Sequence, residues 1–199
     1  YFSYGRFAGS IVLRNPSLEE IEELEGFFGK NFHRQKSVSI SAEKFQKVLE
    51  TRRTVRKYSA GVTREQMEEL LRAAQEAPSW KNSQTGRYYC VLSEDMVDKI
   101  RVECLPDAGN AGKSEHAALI ITTFVHDRAG FQKDGSADNE LGNGWGCYDL
   151  GLQNENLILK ATDLGLSTLI MGLREADRLR EILNIPETET IVSVIADRK

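Results

Sequence analysis

Apolar residues of this chain recur at helical spacing in some stretches and form short continuous runs in others. Between Thr63 and Pro78 they follow the i, i+3, i+4, i+7 pattern, which predicts a helix with one buried face. The apolar positions are Met67, Leu70, Leu71 and Ala74. Thr63 and Gln66 have the spacing of a capping box, so the helix is expected to begin there and to end near Pro78.

Two more helices are predicted from the same periodicity. One begins after Ser41 as N-cap, and its apolar positions are Phe45, Val48 and Leu49. A longer helix spans Tyr148–Leu164, and Gly165 is expected to end it. Its apolar side is made of Leu150, Leu157, Ile158 and Ala161. The same helix carries Gln153, Asn154 and Asn156, which are unusual on an outer helix and indicate a central position or an interface.

Four short runs of apolar and β-branched residues predict strands. They are Tyr88–Leu92, Ala117–Val125, Ser167–Met171 and Ile191–Ala196. Short helices are predicted at Glu94–Val102 and Glu175–Leu183, with a Gly-rich loop at 106–112. Residues 127–144 are polar and Gly-rich, which favours a mobile flap that is almost structureless at 134–139. Because the order of elements lacks βαβ regularity, we predict an α+β fold with a mostly antiparallel sheet between helices.

The first 42 residues have a different pattern from the rest. Short β character is followed by the turn signal Asn15-Pro16, and Ser17 with Glu20 caps a helix. We therefore predict a small β-turn-α extension at 1–42 and a main domain at 43–199. Packing or dimer contacts are the expected role of the extension, and binding of a partner is the alternative.

Charge and hydropathy narrow the class of protein. The chain has 26 Lys and Arg against 30 Asp and Glu, a net charge of -4, with both signs interspersed. This balance argues against a nucleic-acid or membrane-surface partner. No apolar run approaches the roughly 18 residues of a membrane helix, and the N-terminus does not resemble a signal peptide, so we expect a cytoplasmic protein.

The sequence lacks the residue patterns that several common kinds of site require. The three cysteines have no C-x-x-C spacing and the three histidines are scattered, so neither a disulfide framework nor a metal site is predicted. No Ser-His-Asp order, P-loop or paired carboxylate set is present. Gly142–Gly146 lacks the third glycine and the preceding strand of a dinucleotide fingerprint. A bound cofactor fits the chain better than hydrolysis or phosphoryl transfer.

Two polar clusters lie at the ends of the helix that follows Thr63. Arg52-Arg53-Thr54-Val55-Arg56-Lys57 places four cations and a hydroxyl within one short segment, which suits a doubly charged phosphate. Pro78-Ser79-Trp80-Lys81-Asn82-Ser83-Gln84 carries short hydrogen-bonding side chains that suit a polyol or a heterocycle. Seen alone, the first is typical of a solvated patch and the second of a turn. Their order and spacing favour a shared ligand.

Arg-Arg-Thr-x-Arg-Lys-Tyr followed by Ala-Pro-Ser-x-x-Asn-x-Gln resembles the entry pattern of the nitroreductase family of FMN-dependent oxidoreductases. The resemblance covers about residues 43–196. It implies a three-layer αβα sandwich and a homodimer with FMN at the subunit interface. It also implies a ping-pong reaction, in which hydride from NADH or NADPH passes through flavin N5 to a small nitroaromatic or quinone-like acceptor.

The resemblance implies a role for each matching residue of the first cluster. Arg52 and Thr54 match positions that hold the FMN phosphate and ribityl oxygens, and Arg53 lies beside them. Arg56 matches a cation near N1 and O2 of the ring, where a fixed positive charge stabilises the reduced flavin. No side chain is implied as catalytic, since flavin N5 carries the hydride.

The remaining site residues come from three other segments. Pro78, Ser79 and Asn82 match residues that reach the flavin of the other subunit, with Gln84 in the same segment. Asn110 is expected to bond the pyrimidine edge of the ring, and the backbone at Met171 and Gly172 to face N5. These assignments are implied by the resemblance.

The chain departs from the family pattern in three places, of which the first is the added segment 1–42. The usual Pro-Trp after Gln84 is Thr85-Gly86 here. The basic segment that follows the last strand in the family is not seen, and Arg198 or Lys199 is the candidate to replace its charge. A non-catalytic flavin or nucleotide sensor and a partner-binding module are therefore the alternatives to an enzyme.

Overall fold

A computed structural model describes residues 42–54 and 62–198 of the chain. By the packing of its backbone the chain divides into two compact units, Tyr1–Phe45 and Gln46–Lys199. The predicted extension up to residue 41, the N-cap Ser41, and the site candidates Arg56 and Lys199 lie outside the described residues. The domain boundary after residue 42 stays a prediction.

The described residues form six α-helices, one 3-10 turn and four strands. In chain order they are α1 (Ala42–Thr51), α2 (Arg64–Gln75), the 3-10 turn (Trp80–Asn82), β1 (Gly86–Val91), α3 (Glu94–Cys104), α4 (Ala108–Lys113), β2 (Ala118–Val125), α5 (Gly144–Asp163), β3 (Ser167–Met171), α6 (Ala176–Leu183) and β4 (Glu189–Arg198). Each predicted strand and helix in the described part of the chain is present, with ends shifted by a few residues.

The four strands form one sheet in the order β1-β2-β4-β3, and each neighbouring pair is antiparallel. Val91 pairs with Leu119, Ala118 with Asp197, and Ser167 with Arg198. This confirms the predicted antiparallel sheet. β1 and β3 are the two edge strands.

Helices cover both faces of the sheet. Leu119 and Ile121 of β2 lie in a core with residues of α3 and α6, such as Ile100 and Leu179. Ala118 and Ile120 alternate to the other face and pack with α2 and α5. Because successive side chains of a strand point to opposite faces, β2 needs apolar residues at nearly every position. The result is the expected three-layer αβα sandwich.

Helix α2 has the cap and the buried face that its sequence predicts. The Gln66 backbone N–H donates to the Thr63 hydroxyl at 3.3 Å, and the Thr63 N–H donates to the Gln66 side chain at 3.0 Å. Met67, Leu70 and Ala74 are buried, whereas Leu71 is only half-buried. Burying one leucine side chain such as Leu70 stabilises the fold by about 2 kcal/mol.

Helix α5 begins at Gly144, four residues before the predicted start at Tyr148. Glycine is a poor helix former, so the sequence alone disfavours helix at Gly144 and Gly146. Packing overrides this preference, because a Cβ on Gly146 would lie 2.3 Å from Cδ2 of Phe124 in β2. The missing side chain lets the first turns of the helix lie directly on the sheet.

The polar residues of α5 are buried as predicted from their position. Gln153 and Asn154 are nearly inaccessible, and the Tyr88 hydroxyl donates to Oδ1 of Asn154 at 3.1 Å. Nδ2 of Asn156 donates to the Ala73 carbonyl at 3.2 Å. These bonds tie α5 to β1 and to α2.

The predicted loop at 106–112 is wrong, because Ala108–Lys113 forms the short helix α4. Asp107 acts as its N-cap by accepting from the Gly109 N–H at 2.8 Å. Nε of Arg101 in α3 donates to the Ala111 carbonyl at 2.8 Å. The cap and this contact stabilise a helix that two glycines disfavour.

A carboxyl group is buried near the end of the last strand. Asp197 in β4 is fully inaccessible and lies on the same face as Ile195, towards α2 and α5. Neither carboxyl oxygen accepts a hydrogen bond of normal geometry from the described residues, and the backbone N–H of the adjacent Arg198 opposes only part of the effect of burial on the carboxyl pKa. Burial raises the pKa of Asp197 to about 7, because the charged form loses its hydration.

We expect Asp197→Asn to stabilise the protein relative to wild type, increasingly as pH rises from about 4 to about 7. In this window the native carboxyl keeps a proton that the unfolded chain has released, so raising the pH lowers the wild-type free energy of unfolding. The difference should level off above pH 7, at a magnitude on the order of 4 kcal/mol. Urea unfolding over a pH series measures it, with the exposed Asp95→Asn as control. A constant difference would contradict the buried, unpaired carboxyl.

We expect Gly146→Ala to destabilise the protein by about 1–3 kcal/mol, because its methyl group would overlap the Phe124 ring. The matched control is Gly144→Ala in the same helix, where a Cβ would make only ordinary contact with Leu141 at 3.6 Å. That change should be neutral or slightly stabilising. Thermal unfolding of both variants decides between packing and helix propensity, since propensity alone predicts that both changes stabilise.

Candidate functional site

The first polar cluster lies against the edge strand β3. The Arg52 N–H closes the last turn of α1 by donating to the Val48 carbonyl at 3.0 Å. Two residues later, Thr54 forms an isolated parallel bridge with Thr168 of β3. Arg52 is half-buried, and Arg53 and Thr54 are exposed. Two guanidinium groups and a hydroxyl are thus brought to one edge of the sheet.

The charges of this cluster are available to an anion. Nη1 of Arg53 donates to the Arg52 carbonyl at 2.7 Å, which orients its guanidinium without neutralising it. Neither arginine makes an ion pair with a carboxylate among the residues that the structure describes. Guanidinium groups in this state suit a phosphate, which they can bind through two hydrogen bonds at once.

The end of β3 lies on the same edge of the sheet. Met171 is buried, whereas Gly172 is exposed, and a Cβ built on Gly172 would meet nothing within 4 Å. Thr168 and Met171 are three residues apart along the strand, which is about 10 Å. One exposed edge therefore carries the cationic cluster at one end and an open stretch of backbone at the other.

The second polar cluster forms a strained turn before β1. Lys81, Asn82 and Gln84 have φ values of 47°, 55° and 49°, all in the left-handed region. Such a backbone costs on the order of 1 kcal/mol or more for each residue other than glycine and persists only where its surroundings hold it. The Ser79 hydroxyl contributes by accepting from the Gln84 N–H at 3.0 Å.

Two carboxylates hold this turn in place. The backbone N–H of Trp80 donates to the buried Asp149 of α5 at 2.8 Å. Burial raises the pKa of Asp149, and the hydrogen bond from Trp80 opposes that rise. Nε1 of Trp80 and Nζ of Lys81 both donate to Asp138, at 3.2 and 2.8 Å. The turn is therefore fixed both to α5 and to the 127–144 segment.

The 127–144 segment has more structure than its sequence suggested. Phe131 and Ala137 form a bridge around a tight turn, and the Gln132 N–H donates to the Ser136 carbonyl at 2.8 Å. Nε1 of Trp145 donates to Asn139 at 2.8 Å. The expectation that 134–139 is almost structureless is wrong, because side-chain contacts to Trp80, Lys81 and Trp145 organise it. Its mobility stays a prediction.

The two polar clusters lie at opposite corners of the sheet. Thr54 lies beside Thr168 of β3, which pairs with Asp197 of β4, and Asp197 pairs with Ala118 of β2. On the opposite edge strand, β1, Gly86 pairs with Phe124 of β2. Three strand spacings and six residues of β2 separate these corners, which corresponds to about 25 Å. One subunit therefore does not bring Arg52 and Ser79 onto a single small ligand.

Asn110 and Arg198 belong to the corner that holds Thr54. Asn110 is half-buried in α4, and its carbonyl accepts from the Ser114 hydroxyl at 2.9 Å. Arg198 pairs with Ser167 in the sheet, is buried, and donates from Nη2 to the Lys113 carbonyl at 3.4 Å. Arg198 therefore tethers α4 to the start of β3. Whether it also completes a phosphate site stays a prediction.

Two clefts flank the strained turn. One, of about 610 Å³, is lined by Trp80, Lys81, Ser83, Thr85, Arg87, Val125, Asp127, Arg128, Phe131, Gln132, Lys133 and Gly135. The other, of about 560 Å³, is lined by Leu71, Ala74, Gln75, Ala77, Gln84, Gly86, Arg87, Tyr88 and Gln153. A Cβ on Gly86 would lie 1.9 Å from Oε1 of Gln153, so a larger residue at the second cleft would have to displace the end of that side chain. Both volumes suit a small ligand.

Sequence reasoning missed the residues that support the turn and its first cleft. Asp149 carried a usable signal, because it falls on the buried face of α5 beside Leu150 and Gln153, where an unpaired charge is costly. Asp138, Arg128 and Lys133 carried none, since charged residues in a polar segment are ordinarily solvated. Only the folding of that segment against Trp80 brings Asp138 to the turn and Arg128 and Lys133 to the cleft.

The described residues show neither a metal-binding cluster nor a membrane-spanning helix. Within 42–54 and 62–198 no group of three or more His, Cys, Asp or Glu is placed to hold a metal ion. No helix in these ranges is both long and apolar enough to span a membrane. Cys104 is buried, Cys90 half-buried and Cys147 exposed, all as free thiols.

Comparisons with known proteins agree with the fold described above and identify the family. A protein of Archaeoglobus fulgidus, provisionally named an NADH dehydrogenase/NAD(P)H nitroreductase, is 28% identical over 169 residues, which are 77% of this chain and 84% of the relative. A nitroreductase family structure from Clostridium novyi NT matches with a TM-score of 0.65 at 20% identity, over 77% of this chain and 83% of that one. Another from Clostridium difficile 630 matches with a TM-score of 0.61 at 20% identity, over 76% and 81%.

These structures confirm the fold predicted from the sequence. A model of the nitroreductase family itself matches residues 49–196, which include both polar clusters, β3 and most of β4. Since that match covers well over half of the chain, the resemblance seen in the two motifs is confirmed, and this protein belongs to the nitroreductase family.

Proposed function

We propose that the protein is an FMN-dependent NAD(P)H oxidoreductase that works as a homodimer. The observation that carries the proposal is the bridge between Thr54 and Thr168. It fixes the cationic segment along the strand that ends in Met171 and the open backbone of Gly172. A ligand with a phosphate at one end and a hydrogen-bonding ring at the other fits such an edge.

The residues present suit FMN. Arg52 and Arg53 would hold the phosphate, and the Thr54 hydroxyl would bond the phosphate or a ribityl oxygen. The backbone of Met171 and Gly172 would orient the ring, and Asn110 would bond its pyrimidine edge. Arg56 lies outside the described residues, so its place near N1 and O2 rests on the resemblance.

Bound FMN would supply the redox chemistry, taking hydride from NADH or NADPH at N5 and passing it to a nitroaromatic or quinone-like acceptor in a ping-pong cycle. The protein would bind the phosphate, fix the ring and leave one face open to the acceptor. A nearby fixed cation would favour the reduced cofactor, because it stabilises negative charge on the ring.

A homodimer accounts for the distance between the clusters. The segment with Pro78, Ser79, Asn82 and Gln84 enters the sheet at Gly86, about 25 Å from Thr168, so these residues would contact the FMN held by the other subunit. Helix α5 also has an exposed stripe with helical spacing, formed by Cys147, Tyr148, Gly151 and Glu155. A Cβ on Gly151 would meet nothing in its own chain, so a second helix could approach closely there.

We expect Arg52→Gln to weaken FMN binding by roughly 10- to 100-fold, the value of one charge-assisted hydrogen bond of about 1.5–3 kcal/mol. Riboflavin, which lacks the phosphate, should bind wild type and variant alike. Fluorescence titration of flavin into cofactor-stripped protein measures both constants. The matched control is Arg64→Gln, which removes an exposed cation of α2 paired with Glu68. Wild-type protein that does not bind added FMN would rule out the proposal.

Mixing two variants that are each impaired should restore activity if the clusters act across subunits, when FMN is kept below the concentration that saturates Arg52→Gln. Arg52→Gln impairs the phosphate half of each site, and Asn82→Gly impairs the half donated by the partner. Glycine is chosen because it tolerates the positive φ of Asn82. A heterodimer would then contain one intact site and one doubly altered site.

The measurement is NAD(P)H oxidation with a nitroaromatic acceptor after the two variants are unfolded and refolded together. We expect activity well above the average of the separate variants, towards about a quarter of that of wild type, because random pairing makes half of the dimers heterodimers and each heterodimer has one intact site of two. Activity no higher than the average would place each site within one subunit. FMN binding without any turnover in wild type would instead favour the non-catalytic flavin sensor.

A further inference from the structure

The first cleft has a strong excess of positive charge. Four cations line it, Lys81, Arg87, Arg128 and Lys133, against the single carboxylate of Asp127. The chain as a whole has a net charge of -4. The local excess therefore opposes the overall charge, and it is concentrated in a concave surface of about 610 Å³.

The cations of the cleft differ in how far they are already engaged. Lys81 forms an ion pair with Asp138 at 2.8 Å, and Arg87 donates to the carbonyls of Gln84 and Gly86 at 2.9 and 2.7 Å. Arg128 and Lys133 are exposed and form no ion pair with a carboxylate in the described ranges. These two side chains are therefore available to a ligand.

The carboxylate at the cleft is occupied by other partners. Oδ1 of Asp127 accepts from Nδ2 of Asn143 at 2.9 Å, and Oδ2 lies 2.6 Å from Nδ1 of His126. The bond from Asn143 and the contact with His126 hold the pKa of Asp127 below its ordinary value. Asp127 therefore keeps its negative charge, but its oxygens are engaged by Asn143 and His126 and form no ion pair with Arg128 or Lys133.

Aromatic rings form the apolar part of the cleft. Trp80 and Phe131 both line it. The Trp80 ring is fixed by its bond to Asp138 and by Trp145, whose ring centroid lies 4.2 Å away. Nζ of Lys81 also lies over the Trp80 ring, 5.7 Å from its centroid. The part of this fixed ring that lines the cleft is available to a planar ligand at little entropic cost.

We propose that this cleft binds a planar aromatic molecule that carries a negative charge. The ring would pack against Trp80 and Phe131, and the anionic group would pair with Arg128 and Lys133. Such a group has two possible sources, the carboxylate of a small aromatic acid and the phosphate of an adenine nucleotide. None of these residues is itself a proposed FMN contact, although Trp80, Lys81 and Ser83 alternate along the chain with Ser79, Asn82 and Gln84, so the inference is tested by binding and not by turnover.

Calorimetric titration of the purified protein with two matched probes tests the charge. The probes are 4-nitrobenzoate and 4-nitrobenzyl alcohol, which share the nitroaromatic ring and differ in the anionic group. We expect the anion to bind roughly 3- to 10-fold more tightly at low ionic strength, since exposed ion pairs contribute up to about 1 kcal/mol each. Added salt should reduce the preference, because the charges are solvent-exposed.

Variants identify the cations responsible. Arg128→Gln with Lys133→Gln should bring the ratio of the two affinities close to one and leave the alcohol unchanged, whereas Arg128→Lys should keep the preference. Arg64→Gln on α2 is the control for general charge. Equal binding of both probes to wild type, or a preference that survives in the double variant, would overturn the proposal.

A competition titration distinguishes the two sources of the anion. Adenosine 2′-phosphate should displace 4-nitrobenzoate if the cleft takes nucleotide phosphates. Failure to displace it would assign the cleft to small aromatic acids. Both titrations measure binding without turnover, so a protein that lacked FMN or activity could still bear out this inference.

Discussion

Burial of β2 on both faces is the constraint on which the rest of the fold depends. Leu119 and Ile121 pack under α3 and α6, while Ala118 and Ile120 pack under α2 and α5. A strand of this kind is stable only when two helical layers cover it. Covering it fixes the place of α5, and α5 in turn supplies Asp149 to the turn that follows α2. Core packing thereby sets the geometry of the candidate site.

The strained turn shows how the core and the surface are coupled. Three residues between Lys81 and Gln84 adopt a left-handed backbone, which isolated sequence preferences disfavour. Asp149 holds the turn from the side of the core, and Asp138 holds it from the side of the surface segment. The same contacts hold the Trp80 ring, which forms part of the wall of the first cleft. One set of hydrogen bonds thus supports both proposals.

The position of the two polar clusters supports the proposed homodimer. Thr54 and Gly86 mark opposite corners of one sheet, about 25 Å apart, so a ligand that contacts both must lie between chains. Specificity would then come from the surfaces that surround it. In the proposed enzyme, a cleft with Arg128 and Lys133 at its rim would add a preference for anions.

The sequence by itself determined the layers of the fold and the family, and it supplied the residues of the candidate site. Periodicity in α2 and the continuous apolar run of β2 report burial directly, and the motifs around Thr54 and Ser79 lie within single segments. Only the tertiary structure decided the helix at Ala108–Lys113, the early start of α5 at Gly144, and the roles of Asp149 and Asp138. Each of these depends on contacts between residues distant in the chain, and local propensity contains no information about such contacts.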